Sequence, residues 1–335
     1  MASGALTGSG DDIAIGIDLG GTQVRAALVD RRGTILARAE ERTEAAAGPD
    51  RVLDQMDALV RRLLAGGQVS AIVGAGVSAP GPLNTETGIA LDIPTLKGFV
   101  DYPITAELRK RLSLPVILEN DGIAAAIGEW QFGAARGISN VLYVTVSTGI
   151  GGGAVIDGRI LRGRKGMAGH IGHMSVVPNG ALCPCGNRGC FEAYGSGTAF
   201  AERARSRAIE CGATSLGKDG ALIDSSHVFA AARNGDALAN RLIDEEADIL
   251  GRGFTSLIHI FSPDILVMGG GLSHEFERLQ PGIQSYITQW AMPAFKDVQI
   301  HRAALGQNSG LVGAAALMFL AGRQREGINS MDAQS

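Results

Sequence analysis

IAIGIDLGGTQVRAALVD (13–30) alternates apolar residues on both sides of a Gly-Gly turn, the pattern of a β-hairpin, and GTILARA (33–39) adds a third strand. The chain therefore opens as an antiparallel meander. A later stretch, NVLYVTVSTGIGGGAVIDGRIL (140–161), repeats strand, Gly-rich turn and strand. That internal echo points to two related lobes.

Between the two stretches, DRVLDQMDALVRRLL (50–64) puts Val52, Met56, Leu59 and Leu63 on one helical face, and SAIVGAGVS (70–78) reads as a buried strand. A helix over 104–112, a strand over 115–119 and a helix over 121–132 continue an alternation that predicts an α/β sheet. After the echo come an amphipathic helix at about 236–260, the strand DILVMGGG (264–271), a helix near 275–290 and a last helix after Ser309. No low-complexity linker separates the lobes. The boundary is expected near Asn120–Gly133, with a hinge there and another around 300–308.

A 335-residue chain that is 45% apolar and 19% charged is ordinary for a soluble globular protein of two lobes. Its net charge of -4 gives no basic footprint, so nucleic acid is not an expected partner. Residues 1–10 lack the basic and apolar regions of a signal peptide, and the longest apolar run, GLVGAAALMFLAG (310–322), is too short to span a bilayer. A cytoplasmic location without a membrane partner is the expectation.

Two Gly-rich turns could approach phosphate. In Asp18-Leu19-Gly20-Gly21-Thr22 the glycines free backbone N–H groups and Thr22 adds a hydroxyl, although a plain β-turn satisfies the same residues. Ser147-Thr148-Gly149, leading into Ile150-Gly151-Gly152-Gly153, is the matching turn of the second stretch, and two such turns can grip a polyphosphate from both sides. Gly269-Gly270-Gly271 closes a strand and leaves bare backbone where a flat ring could pack; a glycine-rich helix entry reads equally well.

In GRKGMAGHIGHMSVVPNGALCPCGNRGCFEAYGSGT (163–198), His173, Cys183, Cys185 and Cys190 offer one imidazole and three thiolates. The set suits a closed tetrahedral zinc site with no open position, hence a structural metal. Cys183 and Cys185 are too close in sequence for ordinary disulfide geometry, and Pro184 and Gly186 shape a knuckle. Cys211, the fourth cysteine, reads as an unremarkable thiol.

This G-H-x9-C-x-C-G-x-x-G-C-x-E run resembles the zinc motif of the ROK family of bacterial sugar kinases and sugar-responsive repressors, and 146–173 is similar to its glycine-rich signature. The resemblance covers about Ile13 to Leu320. It implies a two-lobed, actin-like (RNase H-like, duplicated) α/β ATPase fold with a nucleotide and sugar cleft between lobes and a zinc-binding loop. The lobes would be 12–120 plus about 305–325, and 121–304 with the zinc loop at 173–190, flanked by flexible tails at 1–11 and 326–335. Members are commonly homodimers.

The resemblance also implies roles. Asp121 would be the general base, and Asp18 would face Mg²⁺ through water. Gly20, Gly21, Thr22, Ser147, Thr148, Gly149, Gly270 and Gly271 would hold ATP, with Gly195–Thr198 nearby. Gly81, Thr95, Asn120, His170 and Glu192 would hold sugar, with His173, a zinc ligand, counted beside them. Read alone, Asn120 and Asp121 at the start of a helix are simply caps. A helix N-terminus should favour the ionised form of Asp121.

Two positions depart from the family pattern. Thr95 stands where Asn is common, and His170 stands where glucokinases carry Glu. A neutral imidazole has one donor and one acceptor, so it could serve the carbonyl of a 2-acetamido group, as in N-acetylmannosamine kinases. It could equally lie behind the sugar site. Gly74–Ala79 matches G-x-G-x-x-A after a strand, yet Pro80 and Pro82 stop the helix that a dinucleotide site requires. There is no P-loop motif.

The expectation is an ATP- and Mg²⁺-dependent kinase acting on the 6-hydroxyl of a hexose or N-acetylhexosamine. A ROK-type repressor is the alternative of another class, but only 17 residues precede Asp18, which leaves no room for a helix-turn-helix domain. A catalytically silent sugar-binding protein is the third reading.

Overall fold

The structure, a computed structural model, describes residues 12–66, 71–217 and 222–332, with 323–332 described by backbone alone. The tail expected at 1–11 lies outside the described residues, as do 333–335. The chain forms two units, the first from the described residues up to Ile138, Arg159–Gly169 and the segment from Ala304, the second from Ser139–Gly158 and His170–Ala303.

In the first unit the opening meander is β1 (Ile13–Leu19), β2 (Gln23–Asp30) and β3 (Ile35–Arg42). Strands β4 (Ile72–Ala79) and β8 (Val116–Asn120) extend it in parallel, giving the order β3–β2–β1–β4–β8. Helices α1 (Pro49–Ala65) and α2 (Ile104–Leu112) share one core with this sheet, and Val52, Met56, Leu59 and Leu63 of α1 are buried in it as their spacing predicts. A small sheet of β5 (Leu83–Asn84), β6 (Ile89–Asp92) and β7 (Val100–Tyr102) was not anticipated. Strands of two to four residues are too short to print a period of two.

Helices α3 (Asp121–Phe132) and α9 (Ser309–Asp332) pack on each other, and α9 also lies on β1 and β4. Small residues permit the approach. A Cβ on Gly16 would lie 2.2 Å from Leu311 O, one on Gly76 1.7 Å from Ala314 O, and one on Gly313 1.7 Å from Ala124 O. Residues 326–332, expected as tail, continue α9.

The units do not divide at the expected 120/121 boundary. Glu129, fully buried, accepts hydrogen bonds from the N–H groups of Ala134, Ala304 and Leu305, each at 2.9 Å, and from Ser309 Oγ at 2.7 Å. It fastens α3 to the segment that leads into α9. The short strand β11 (Arg159–Ile160) opens the 159–169 segment, which also belongs to the first unit, with Ile160 packed among Ile123, Ile127, Ala316 and Leu317.

In the second unit the repeated hairpin is β9 (Val141–Val146) and β10 (Ile150–Ile156), followed in sheet order by β12 (Ile265–Gly269) and β13 (Gln299–Arg302) on the β9 side. The single turn α4 (Glu192–Gly195) leads into α5 (Gly197–Cys211), then α6 (Ser225–Arg233), α7 (Ala237–Phe261) and α8 (Phe276–Trp290). The unit's core holds Leu142, Val144, Phe191, Phe200 and Phe254. Among the described residues no helix is long and apolar enough to cross a membrane.

Candidate active site

Asp18 lies one residue before the end of β1 and faces its lateral neighbours on both sides. The antiparallel register sets Asp18 opposite Arg25, and the parallel register sets it beside Ser78. Arg25 donates to Asp18 Oδ2 through Nε at 3.1 Å and also through Nη2, while Ser78 Oγ donates to Oδ1 at 2.9 Å. Arg25 Nη1 reaches Gln307 O at 2.9 Å. Sequence reading missed both partners, although the hairpin register alone would have pointed to Arg25.

The Gly20–Thr22 turn is held from below by Thr43, whose Oγ1 donates to Gly20 O at 2.7 Å and whose N–H donates to Thr22 O at 2.9 Å. Thr95 packs on Gly21; a Cβ there would lie 3.0 Å from Thr95 Cβ, so a side chain would press Thr95 outward. The residue expected on sugar thus touches the turn expected on phosphate. Gly21, Thr22, Arg42, Thr43, Glu44 and the alanines 45–47 line an open recess of about 490 Å³ beside it. The Gly81–Pro82 peptide is cis.

Asn120 caps α3, its Oδ1 accepting from Gly122 N–H at 3.0 Å, and Asp121 Oδ1 accepts from the same N–H at 2.8 Å. The capping role and any chemical role therefore coexist. The Asp121 side chain is open to solvent at its surface but crowded by protein, and desolvation lifts its carboxyl to about 6, with the charge of Asp18 adding to the lift. Burial outweighs the helix terminus, which was expected to favour ionisation. At pH 7 the group is still mainly ionised and remains an acceptor.

Behind Asn120, Glu119 is buried. Its Oε1 accepts the Asn120 N–H at 3.1 Å, and its Oε2 accepts Arg162 Nε at 3.0 Å. Lys165 O in the same segment accepts Thr85 N–H at 3.1 Å, and Gly166 sits against Thr85. The stretches that carry Gly81, Asn120 and Arg162 are thereby tied into one unit.

In the second unit, residues 192–198 are zipped to the Ser147–Gly149 turn. Gly197 N–H donates to Ser147 O at 2.7 Å and Thr198 Oγ1 to Thr148 O at 2.8 Å. Ile150 N–H donates to Glu192 Oε2 at 2.8 Å. Gly270 adopts φ 83°, and a Cβ on Gly271 would reach Ser147 Oγ at 3.5 Å, so the two glycine turns adjoin. Ser147, Thr148, Gly149, Gly270, Gly271 and the Gly195–Thr198 turn are brought together here.

His173, Cys183, Cys185 and Cys190 present ligand atoms that all lie within 4.8 Å of one another. Cys183 Sγ is 3.7 Å from His173 Nδ1, and Cys185 Sγ is 3.7 Å from Cys190 Sγ, with all four cysteines of the chain free. Gly186 at φ 90° and Gly189 at φ 77° turn the knuckle, and a Cβ on Gly189 would lie 1.8 Å from Val177 O. Burial pushes the Cys183 thiol up to about 12, so a cation is needed to hold it as thiolate. Three sulfurs and an imidazole nitrogen at these separations fit zinc.

His170 precedes the Ile171–His173 turn, and its ring stacks near His173 at 6.3 Å between centroids. It is exposed. Desolvation, then the charge of His173, holds its pKa below the usual value, so the ring is neutral at pH 7.

The ROK family profile matches residues 14–320. A glucokinase of Thermotoga maritima is 35% identical over 308 residues, covering 91% of this chain and 96% of the relative. An N-acetylmannosamine kinase of Escherichia coli O157:H7 is 36% identical over 306 residues, covering 90% and 97%. Among solved structures, a ROK family glucokinase from Streptomyces griseus in complex with glucose and AMPPNP superposes with TM-score 0.79 at 36% identity, covering 91% of this chain and 98% of that one. A ROK family transcriptional regulator also superposes, with TM-score 0.83 at 28% identity, but only 78% of its length is covered. The kinases, matched along nearly their whole length, support a sugar phosphotransferase over a regulator. With the duplicated hairpin, the glycine turns and the Cys/His cluster in place over the matched span, the chain belongs to the ROK family and has its actin-like fold.

Proposed function

We propose that this chain is an ATP- and Mg²⁺-dependent kinase that phosphorylates the 6-hydroxyl of a hexose or N-acetylhexosamine, with N-acetylmannosamine slightly favoured over glucose. The observation that carries the reading is Asp121, an acceptor at neutral pH whose carboxyl is lifted to about 6 by the protein around it, at the head of a helix and within the field of Asp18. In this reading Asp121 takes the proton of the sugar hydroxyl as its oxygen bonds the γ-phosphorus. The bond from that phosphorus to the β,γ-bridging oxygen breaks, and ADP leaves with the electron pair.

The side-chain amide of Asn120, Thr95, Glu192 and the Gly81 loop hold the sugar. The turns at Gly20–Thr22, Ser147–Thr148 and Gly270–Gly271 take the nucleotide. Mg²⁺, when bound, screens the phosphate charge; because both Asp18 oxygens already have protein partners, Asp18 would reach it through water. Zinc on His173, Cys183, Cys185 and Cys190 is structural and fixes the knuckle from which Glu192 projects. The neutral ring of His170 supports the acetamido preference, since it can donate to a carbonyl where a carboxylate cannot.

The test is a coupled ADP-release assay with MgATP against glucose, mannose, N-acetylglucosamine, N-acetylmannosamine, fructose and allose, run beside Asp121→Ala. Highest kcat/KM for N-acetylmannosamine, reversed toward glucose by His170→Glu, is the expected outcome. A clear preference for glucose removes His170 as the reader of the acetamido group. Sugar binding without ADP release would instead favour a sugar-sensing protein.

A further inference from the structure

Gly149 belongs to a turn whose glycines are expected to let phosphate approach. Its backbone gives no reason for glycine, because it does not take a positive φ as Gly270 does. Space gives one. A Cβ on Gly149 would lie 2.5 Å from Glu192 Oε2 and 3.2 Å from that carboxyl carbon. No side chain tolerates the first distance without displacing the carboxylate.

That oxygen is also the one fixed by the turn, since Oε2 accepts the Ile150 N–H at 2.8 Å. Glu192 is therefore seated on the turn with one oxygen bound to backbone. The other, Oε1, has among the described residues only the Cys183 sulfur, at 3.9 Å, and is the one left for a ligand. The bonds from Gly197 to Ser147 and from Thr198 to Thr148 keep the seat and the α4 turn in fixed relation. A methyl group at 149 would push the carboxylate away from the Ile150 N–H and re-aim Oε1.

We infer that Gly149 is a positioning residue for the sugar, acting through Glu192, and not a nucleotide contact. The inference rests on the sugar-kinase reading and deepens it: the glycine is kept for the acceptor substrate. Its mark is a loss confined to sugar affinity.

The experiment is calorimetry on the full chain with each ligand alone, using the sugar that the panel assay prefers and AMPPNP. Gly149→Ala should weaken sugar binding by about tenfold or more, the scale of one misplaced charge-assisted hydrogen bond, while AMPPNP affinity stays within about twofold. In the Gly149→Ala background, Glu192→Asp withdraws the carboxylate by one methylene and should recover part of the sugar affinity. Glu192→Asp alone, with the seat intact, should lower sugar affinity only. Weaker AMPPNP binding with unchanged sugar binding in Gly149→Ala, equal losses of both, or no recovery in the double variant would overturn the inference. If Gly149→Ala does not fold, Glu192→Asp decides: a loss of AMPPNP affinity in it counts against the seat. Wild-type chain that binds AMPPNP but none of the sugars would sink the sugar-kinase reading itself, whereas wild-type sugar binding unaltered by Gly149→Ala sinks this inference alone.

Discussion

As the proposed general base, Asp121 has two partly opposed requirements, to be ionised when a hydroxyl arrives and basic enough to take its proton. A carboxyl lifted to about 6 by desolvation meets both near pH 7. Because the active form is the ionised one, kcat/KM should be level above that pKa and fall about tenfold per pH unit below it; a pH–rate profile with no acid limb near 6 would contradict the assignment. Asp121→Asn keeps the shape and the bond to Gly122 but cannot take a proton, so kcat should fall by about 10²–10⁴ while calorimetric sugar affinity changes little. At this scale sequence named candidate residues for the chemistry but not their neighbours. The Cys/His cluster that fits zinc is written in the spacing of 183, 185 and 190. The Ser78 contact of Asp18, the Arg162–Glu119 pair and the seat of Glu192 on Gly149 are set by sheet register and loop docking, which no local pattern encodes.

Among the elements, the knuckle at 173–190 exposes Leu182 and Cys185 and turns on glycine, and its short backbone bonds, such as Cys183 N–H to Asn187 O at 2.8 Å, close around the Cys/His cluster. Removing zinc with a strong chelator, or Cys185→Ser, should therefore open the stretch to protease between residues 178 and 189. It should also raise the sugar Kd, because the knuckle leads directly into Glu192; full protection after the metal is gone would count against a structural role. Glu129 offers a contrasting anchor with no metal. Glu129→Ala leaves three N–H groups without their acceptor, while the Ser309 hydroxyl keeps Gly306 O at 2.9 Å, and at about 1–3 kcal/mol for each buried orphan urea unfolding should show at least about 3 kcal/mol less stability. Glu129→Gln, which keeps one acceptor oxygen, should lose less. The long helices could be read from their apolar period to within a residue or two. α5 could not: it buries only Phe200, Ala201 and Ala204, too few to print a stripe, and it begins at a Ser196 cap that looks like loop sequence.

For the molecule as a whole, the first unit is discontinuous in sequence and is completed by its last segment. The apolar pattern of 310–322 says that this segment is buried but not against what. The answer lies in Gly16, Gly76 and Gly313, whose missing side chains make room for α9 on β1, β4 and α3. The ribosome makes the consequence acute. Ala14, Ala27 and Val29 leave the exit tunnel early, yet the face they share with Leu311, Val312, Ala315 and Phe319 stays uncovered until the end of the chain is made. At roughly 5–20 residues per second, that is about 15–60 s of translation. A chain stopped after Asn308 retains every residue assigned here to sugar, nucleotide or metal, yet it should remain chaperone-bound or insoluble, as pull-down of the nascent product would reveal. Supplying 309–332 as a separate peptide should release it. Birth order, as much as contact energy, thus sets when this protein can begin to work.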